Sequence, residues 1–130
     1  MPHLRNRYVQ DLIRKAKAHS PLIGILGHRQ VGKTTVLESM CKAYVTLDVR
    51  SQLILANENP EEFLKLNSKY FQGIDECQLS PDLFPALKEH VRKNKSPGQY
   101  LLSGSVRFTS RNAIRESLTG RIINFEQERP

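Results

Sequence analysis

Tryptophan is absent from this sequence, and cysteine occurs only twice, as Cys41 and Cys77. Neither cysteine sits at the paired spacing of a zinc site, and His3, His19, His28 and His90 form no HExxH or HxxxH pattern. The expectation is two reduced thiols packed among apolar neighbours. No apolar run approaches the ~20 residues needed to cross a bilayer. The segment "MPHLRNRYVQDLIRKAKAHS" lacks the apolar centre and small-residue cleavage site of a secretory signal. It is basic and amphipathic, but Asp11 and a shortage of serine argue against a transit peptide. These absences make the cytoplasm the expected compartment and leave a membrane out of the expected partners. Internal repeats and low-complexity tracts are missing as well.

What remains is ordinary globular content. Across 130 residues, 38% are hydrophobic and 25% charged, which excludes a disordered chain and allows one domain with a modest core. The net charge is +7, so the surface attracts polyanions, whether a nucleotide, a nucleic acid or an acidic protein. The basic residues are spread over the amino-terminal segment, "HVRKNK" and "RNAIRESLTGR" and form no single block. No aromatic ladder offers bases a stacking platform. Nucleic-acid binding therefore stays open without being indicated.

Apolar positions at Val9, Leu12, Ile13 and Ala16 give Tyr8 to His19 a helical period, broken by Ser20-Pro21. "LIGIL" is an apolar run of the kind buried on both faces of a parallel sheet. A helix is expected over "KTTVLESMCKA" and a strand over "YVTLDV". Helical material over "SQLILANENPEEFLKLN" is divided at Asn59-Pro60, with Glu61 and Glu62 suited to a first turn. "KYFQGID" is a strand, and "SPDLFPALKEHVRKNK" a helix with a Ser-Pro start and a basic end. "QYLLSGS" is a strand, "SRNAIRESLTGR" a helix closed by Gly120, and "RIINFE" a last strand. Strands alternating with helices predict an α/β fold: a three-layer sandwich around a mostly parallel sheet of about five strands. Residues 1–20 are read as an amino-terminal basic helix and 21–130 as the core.

The stretch Gly27-His28-Arg29-Gln30-Val31-Gly32-Lys33-Thr34 matches G-x-x-x-x-G-K-[ST] between a buried strand and a helix. Its glycines permit backbone conformations closed to residues with a Cβ, so that successive N–H groups can face one anion. The helix adds its free amino-terminal N–H groups and the positive end of its dipole. Lys33 is placed for the β- and γ-phosphates, the Thr34 hydroxyl for Mg²⁺, and Thr35 for the α-phosphate side. The loop is expected to bind a nucleoside triphosphate through its backbone, with His28 and Arg29 turned to solvent.

"YFQGIDECQ" supplies the acids that hydrolysis needs. Asp75 is the candidate for holding Mg²⁺ through its water shell, and Glu76 for orienting the attacking water. Adjacent side chains at a strand end leave to different sides, which separates the two tasks. In a parallel sheet the ligand sits at the strand carboxyl ends, so Ser103 or Ser105 can reach the γ-phosphate.

Together "GHRQVGKTT", "IDECQLSPDLFPALK", "LLSGS" and "SLTGR" resemble the motifs of prokaryotic AAA+-like P-loop ATPases, over most of the chain from Pro21 to Phe125. The resemblance implies an ATPase core of the P-loop NTPase fold that uses ATP and Mg²⁺. It implies Asp75 as the metal-associated acid, Glu76 as catalytic base, Ser103 at the sensor position where threonine is common, and Arg121 as a candidate arginine for the transferring phosphate. Arg107, Arg111 and Arg115 are weaker candidates for that arginine. His28 stands where proline is frequent. Members of the family continue into a carboxyl-terminal domain of unknown function, so the chain is expected to be the isolated core.

The expected function is an ATPase domain that couples hydrolysis to action on an unknown protein partner, with oligomerisation left open. One alternative is a nucleotide-binding switch with negligible turnover; another is a small-molecule kinase. Acids at the strand end favour water as the acceptor. The absence of N-K-x-D and of D-x-x-G argues against GTP.

Overall fold

The structure, a computed structural model, describes residues 2–26, 32–66, 70–94, 96–104 and 121–124, with the backbone alone for 2–6, 26 and 121–124. Five strands form one sheet: β1 (Leu22–Leu26), β2 (Ala43–Thr46), β3 (Gln72–Asp75), β4 (Tyr100–Gly104) and β5 (Arg121–Asn124). Their order is β2-β3-β4-β1-β5, and every neighbouring pair is parallel. The helices are α1 (Pro2–Lys17), α2 (Lys33–Met40), α3 (Arg50–Glu58), α4 (Pro60–Lys65) and α5 (Leu83–Lys93).

Strand periodicity sorts the core into two layers. Ile23, Ile25 and Leu101 meet Val9 and Ile13 of α1 and Leu37 of α2. Leu22, Ile74 and Leu102 meet Phe63 of α4 and Leu83 and Leu87 of α5 on the opposite face. β1 and β4 are therefore covered on both sides, which is why their sequences are nearly continuous apolar runs. The expected three-layer α/β sandwich is present. α1 packs into the same core as the sheet, burying Val9 and Ile13 completely.

Local signals explain most boundaries. α4 starts at Pro60 behind Asn59, whose Oδ1 accepts the Glu62 N–H at 3.3 Å, with Glu61 and Glu62 in the first turn and Lys65 in the last. α1 starts at Pro2, earlier than the apolar period indicates, because proline suits a first helical position. β2 stops at Thr46, earlier than expected: Leu47 turns inward to the core while its N–H bonds Asp75 O at 3.1 Å. The Ser80-Pro81 start expected for the next helix is displaced to Leu83. Ser80 is fully buried and donates its hydroxyl to Asn57 Oδ1 at 2.5 Å, tying the turn to α3. The helix expected over "SRNAIRESLTGR" lies outside the described residues.

Gly73 sets how closely α2 approaches the sheet. A Cβ there would lie 3.1 Å from Cys41 Sγ and 3.4 Å from Leu37 Cγ. Cys41 itself is half-buried and Cys77 buried, as free thiols. Burial, partly offset by the Lys17 charge, pushes the Cys41 thiol up to about 12. Burial also raises Cys77. Among the described residues, no helix is long and apolar enough to cross a membrane.

Two expectations follow from this packing. Gly73→Val gains strand propensity of under about 1 kcal/mol but overpacks the α2 contact at a cost of about 1–3 kcal/mol, so the thermal midpoint falls by several degrees. For the thiol, the fold favours the neutral form, so the unfolded chain ionises first. Stability is then whole below the ordinary value of 9 and declines as pH rises from there to about 12. Denaturant midpoints across that window should show the decline, and Cys41→Ala should lessen it by that thiol's share, since Cys77, Tyr44 and Tyr100 are raised in the fold too.

Candidate functional site

The carboxyl ends of β1, β3 and β4 and the amino terminus of α2 come together at one edge of the sheet. Gly32 precedes α2 at φ 86°, ψ 9°, a left-handed conformation that glycine adopts without the steric cost of a Cβ. Among the described residues α2 has no side-chain cap and no acidic residue in its own first turn, which leaves its amino-terminal N–H groups without a capping oxygen from the helix itself. Lys33, the first helical residue, is only 4% exposed, and its Nζ donates to the Gly104 carbonyl at 2.6 Å. That bond spans from α2 to the end of β4. Thr34 and Thr35 are exposed on the first turn. Gly27, His28, Arg29, Gln30 and Val31, the remaining expected loop residues, lie outside the described residues.

Asp75 ends β3 and is 2% exposed. A buried carboxylate is tolerable only when its oxygens are well supplied with donors. Its Oδ2 accepts from Thr34 Oγ1 at 2.7 Å and from the Tyr44 hydroxyl at 2.8 Å. Its Oδ1 accepts from the Glu76 N–H at 3.0 Å and from the Ser103 hydroxyl. Tyr44 is held in its neutral, donating form: burial raises its phenol well above the ordinary value, and the hydrogen bond to Asp75 raises it further. Ser103, expected to reach a phosphate, is 1% exposed and turned to Asp75.

Glu76 leaves the strand at φ 58°, the described non-glycine residue with a positive φ. Such a conformation costs about 1–3 kcal/mol and persists where neighbours over-determine it. Here its N–H bonds Asp75, its carbonyl accepts the Leu79 N–H at 3.1 Å, and its Oε1 accepts Gln78 Nε2 at 2.7 Å. The reversal sends Asp75 toward α2 and Glu76 toward the turn Cys77–Leu79.

The structure thus brings Lys33, Thr34, Asp75 and Ser103 together, with Glu76 next to them. Arg121 is elsewhere in the sheet: its Cα pairs with Ile23, whereas the strand end is marked by the Leu26–Gly104 pair. Three residues of strand separate those levels, roughly 10 Å. Ser105, Arg107, Arg111 and Arg115 lie outside the described residues. Two participants were not anticipated. Tyr44 stood in a predicted strand, but its aim at Asp75 depends on the β2–β3 register, in which Thr46 faces Asp75. The Gly104 carbonyl carries no side-chain signal at all.

The donor set suits a small hard cation. A hydroxyl that donates to Asp75 keeps oxygen lone pairs for a metal. Among the described residues there is no group of three or more His, Cys, Asp or Glu able to cage an ion. A cation here would be held by one hydroxyl, one carboxylate through water, and ligand oxygens, the manner in which Mg²⁺ is commonly bound.

Residues 19–127 match the protein family described as an AAA domain. Two curated relatives are uncharacterized proteins of Mycobacterium bovis and Mycobacterium tuberculosis. Each is 30% identical over 118 residues, an alignment covering 85% of this chain and 25% of the relative. The chain therefore spans about a quarter of the length of these relatives.

The four-donor shell of Asp75 predicts an order of stability losses in urea titrations. Ser103→Ala should cost about 1.5–3 kcal/mol, since a buried charge loses a donor that water cannot replace. Tyr44→Phe should cost about 1 kcal/mol, because the half-buried site lets water take over.

Proposed function

The chain belongs to the AAA domain family, matched over residues 19–127, and on that premise we propose that it binds Mg–ATP and hydrolyses it to act on a protein partner. It is a nucleotide-binding domain of the P-loop ATPase kind. One observation carries the proposal: Thr34 of α2 and Asp75 of β3 meet at 2.7 Å beside a buried Lys33. Hydroxyl, carboxylate and ammonium are the groups needed for a triphosphate and its cation, and they converge from α2 and β3.

In this reading Lys33 exchanges the Gly104 carbonyl for the β- and γ-phosphate oxygens. Thr34, and Asp75 through water, would hold Mg²⁺, which would supply neutralisation of phosphate charge. Glu76 accepts a proton from water as the water oxygen attacks the γ-phosphorus and the bond to the ADP oxygen breaks. The proton then passes to the released phosphate, restoring the carboxylate. Gly27 to Val31 cradle the phosphates, and Thr35 closes the α-phosphate side. Ser103 keeps Asp75 oriented and holds the sensor position. Arg121 serves a neighbouring copy if these domains assemble, because its backbone lies away from this chain's own strand ends. Cytoplasmic location and an unidentified protein target belong to the same proposal.

A nucleotide-binding switch with little turnover is the second reading. The Ser103 hydroxyl favours it: it is 1% exposed and donates to Asp75, so it is not presented to a phosphate or its water.

Binding of Mg–ATP and steady-state phosphate release should be measured for the parent, Lys33→Ala and Glu76→Gln. Lys33→Ala should weaken binding about 10- to 100-fold, the range of a lost charge-assisted bond. Glu76→Gln should bind normally and lose turnover by about 10²–10⁴. A parent that binds without turnover establishes the switch; a Lys33→Ala variant that binds as the parent does overturns both readings.

A further inference from the structure

One side chain at the site has no part in the reaction as proposed. Gln78 lies in the turn Cys77–Leu79 directly after Glu76. Its Nε2 donates to Glu76 Oε1 at 2.7 Å. On its other side, Gln78 Oε1 comes within 2.7 Å of where a Cβ on Gly104 would stand. Gly104 is also the residue whose carbonyl holds Lys33 Nζ, at 2.6 Å. One carboxamide therefore holds the candidate base and occupies the space beside the strand end whose carbonyl bonds Lys33.

We infer that Gln78 is the positioning residue for Glu76, and that residue 104 is glycine partly to leave room for its carboxamide. The inference rests on the reading of Glu76 as the base. A glutamate side chain has three rotatable bonds and loses rotamer freedom when fixed. A charge-assisted donor on one carboxylate oxygen fixes it and leaves the other oxygen to receive a proton from water. The donor is itself held by a tight turn, since the Leu79 and Ser80 N–H groups bond the Glu76 and Cys77 carbonyls at 3.1 Å. Placing the donor two residues from the base makes the pair one rigid unit. Its place against Gly104, in the space a Cβ would take, relates the aim of the base to the position of β4. A misplacement of about 1 Å at a reacting group can cost roughly 10²-fold in rate. A purely local turn-stabilising bond would instead alter melting and leave catalysis alone.

The test compares the parent with Gln78→Met, which keeps length and removes the donor, with Gly104→Ala, whose methyl displaces the carboxamide, with their double variant, and with Glu76→Gln. With ATP and Mg²⁺ as probes, each single variant should lower kcat about tenfold or more, with KM for ATP within about twofold. The double variant should fall no further than the worse single, because both act through one contact. In ¹⁵N spectra the Gln78 side-chain amide of the parent should exchange slowly and shift on Glu76→Ala, a readout independent of turnover.

The outcomes separate the two claims. If Glu76→Gln stops turnover while Gln78→Met leaves kcat unchanged and only lowers the melting temperature, the positioning role is overturned and the base reading survives. Multiplicative losses in the double variant also overturn it, as does a Gln78 amide signal unmoved by Glu76→Ala. Undiminished turnover in Glu76→Gln overturns the base reading and this inference with it. A parent without turnover overturns both.

Discussion

A carboxylate taken out of water must be surrounded by donors, and much of the site's architecture can be read as meeting that demand at Asp75. Its donors arrive from α2, β2, β4 and the backbone just past β3. No single element can supply them, so the carboxylate acts as a register mark for four. Thr34 sets the rotation of α2, Tyr44 the depth of β2, and Ser103 the level of β4. Gly73, two residues earlier on the same face, lets α2 come close enough for the Thr34 bond. A packing constraint and an electrostatic one thus operate on neighbouring turns of one helix.

The same geometry explains how a buried ammonium is tolerated. Lys33 is nearly inaccessible, and its charge is answered by a carbonyl at the end of a strand. A neutral acceptor satisfies a cation less fully than phosphate oxygens do. The bond holds the ammonium at the carboxyl end of β4.

Much of this was legible from residue order. Alternating apolar runs and helical periods specify a parallel α/β sheet because each strand must be buried on two faces. The Asn59-Pro60 start of α4 is local chemistry, readable without any partner. Gly32 shows the positive φ that the loop motif leads one to expect. Features set by distant pairing were illegible. Tyr44 becomes part of the site only through the β2–β3 register, and Ser80 joins α3 instead of starting α5. The Gly104 carbonyl is backbone, so no residue type announces it. Arg121 fits a motif, yet pairing with Ile23 places it below the strand end. Motifs declare which chemistry is present; register decides which of its members meet.

The strand order also has a consequence for how the molecule comes into being. β1 lies between β4 and β5, so both of its neighbours are made long after it. As the nascent chain leaves the ribosome, an apolar strand and the lysine behind it wait for residues near 104 before either has its partner. Pairing of that kind closes long loops and is slow. During that interval β1 lacks both of its sheet neighbours, which makes translation speed and chaperone capture of the growing polypeptide determinants of how much protein reaches a state able to hold a nucleotide.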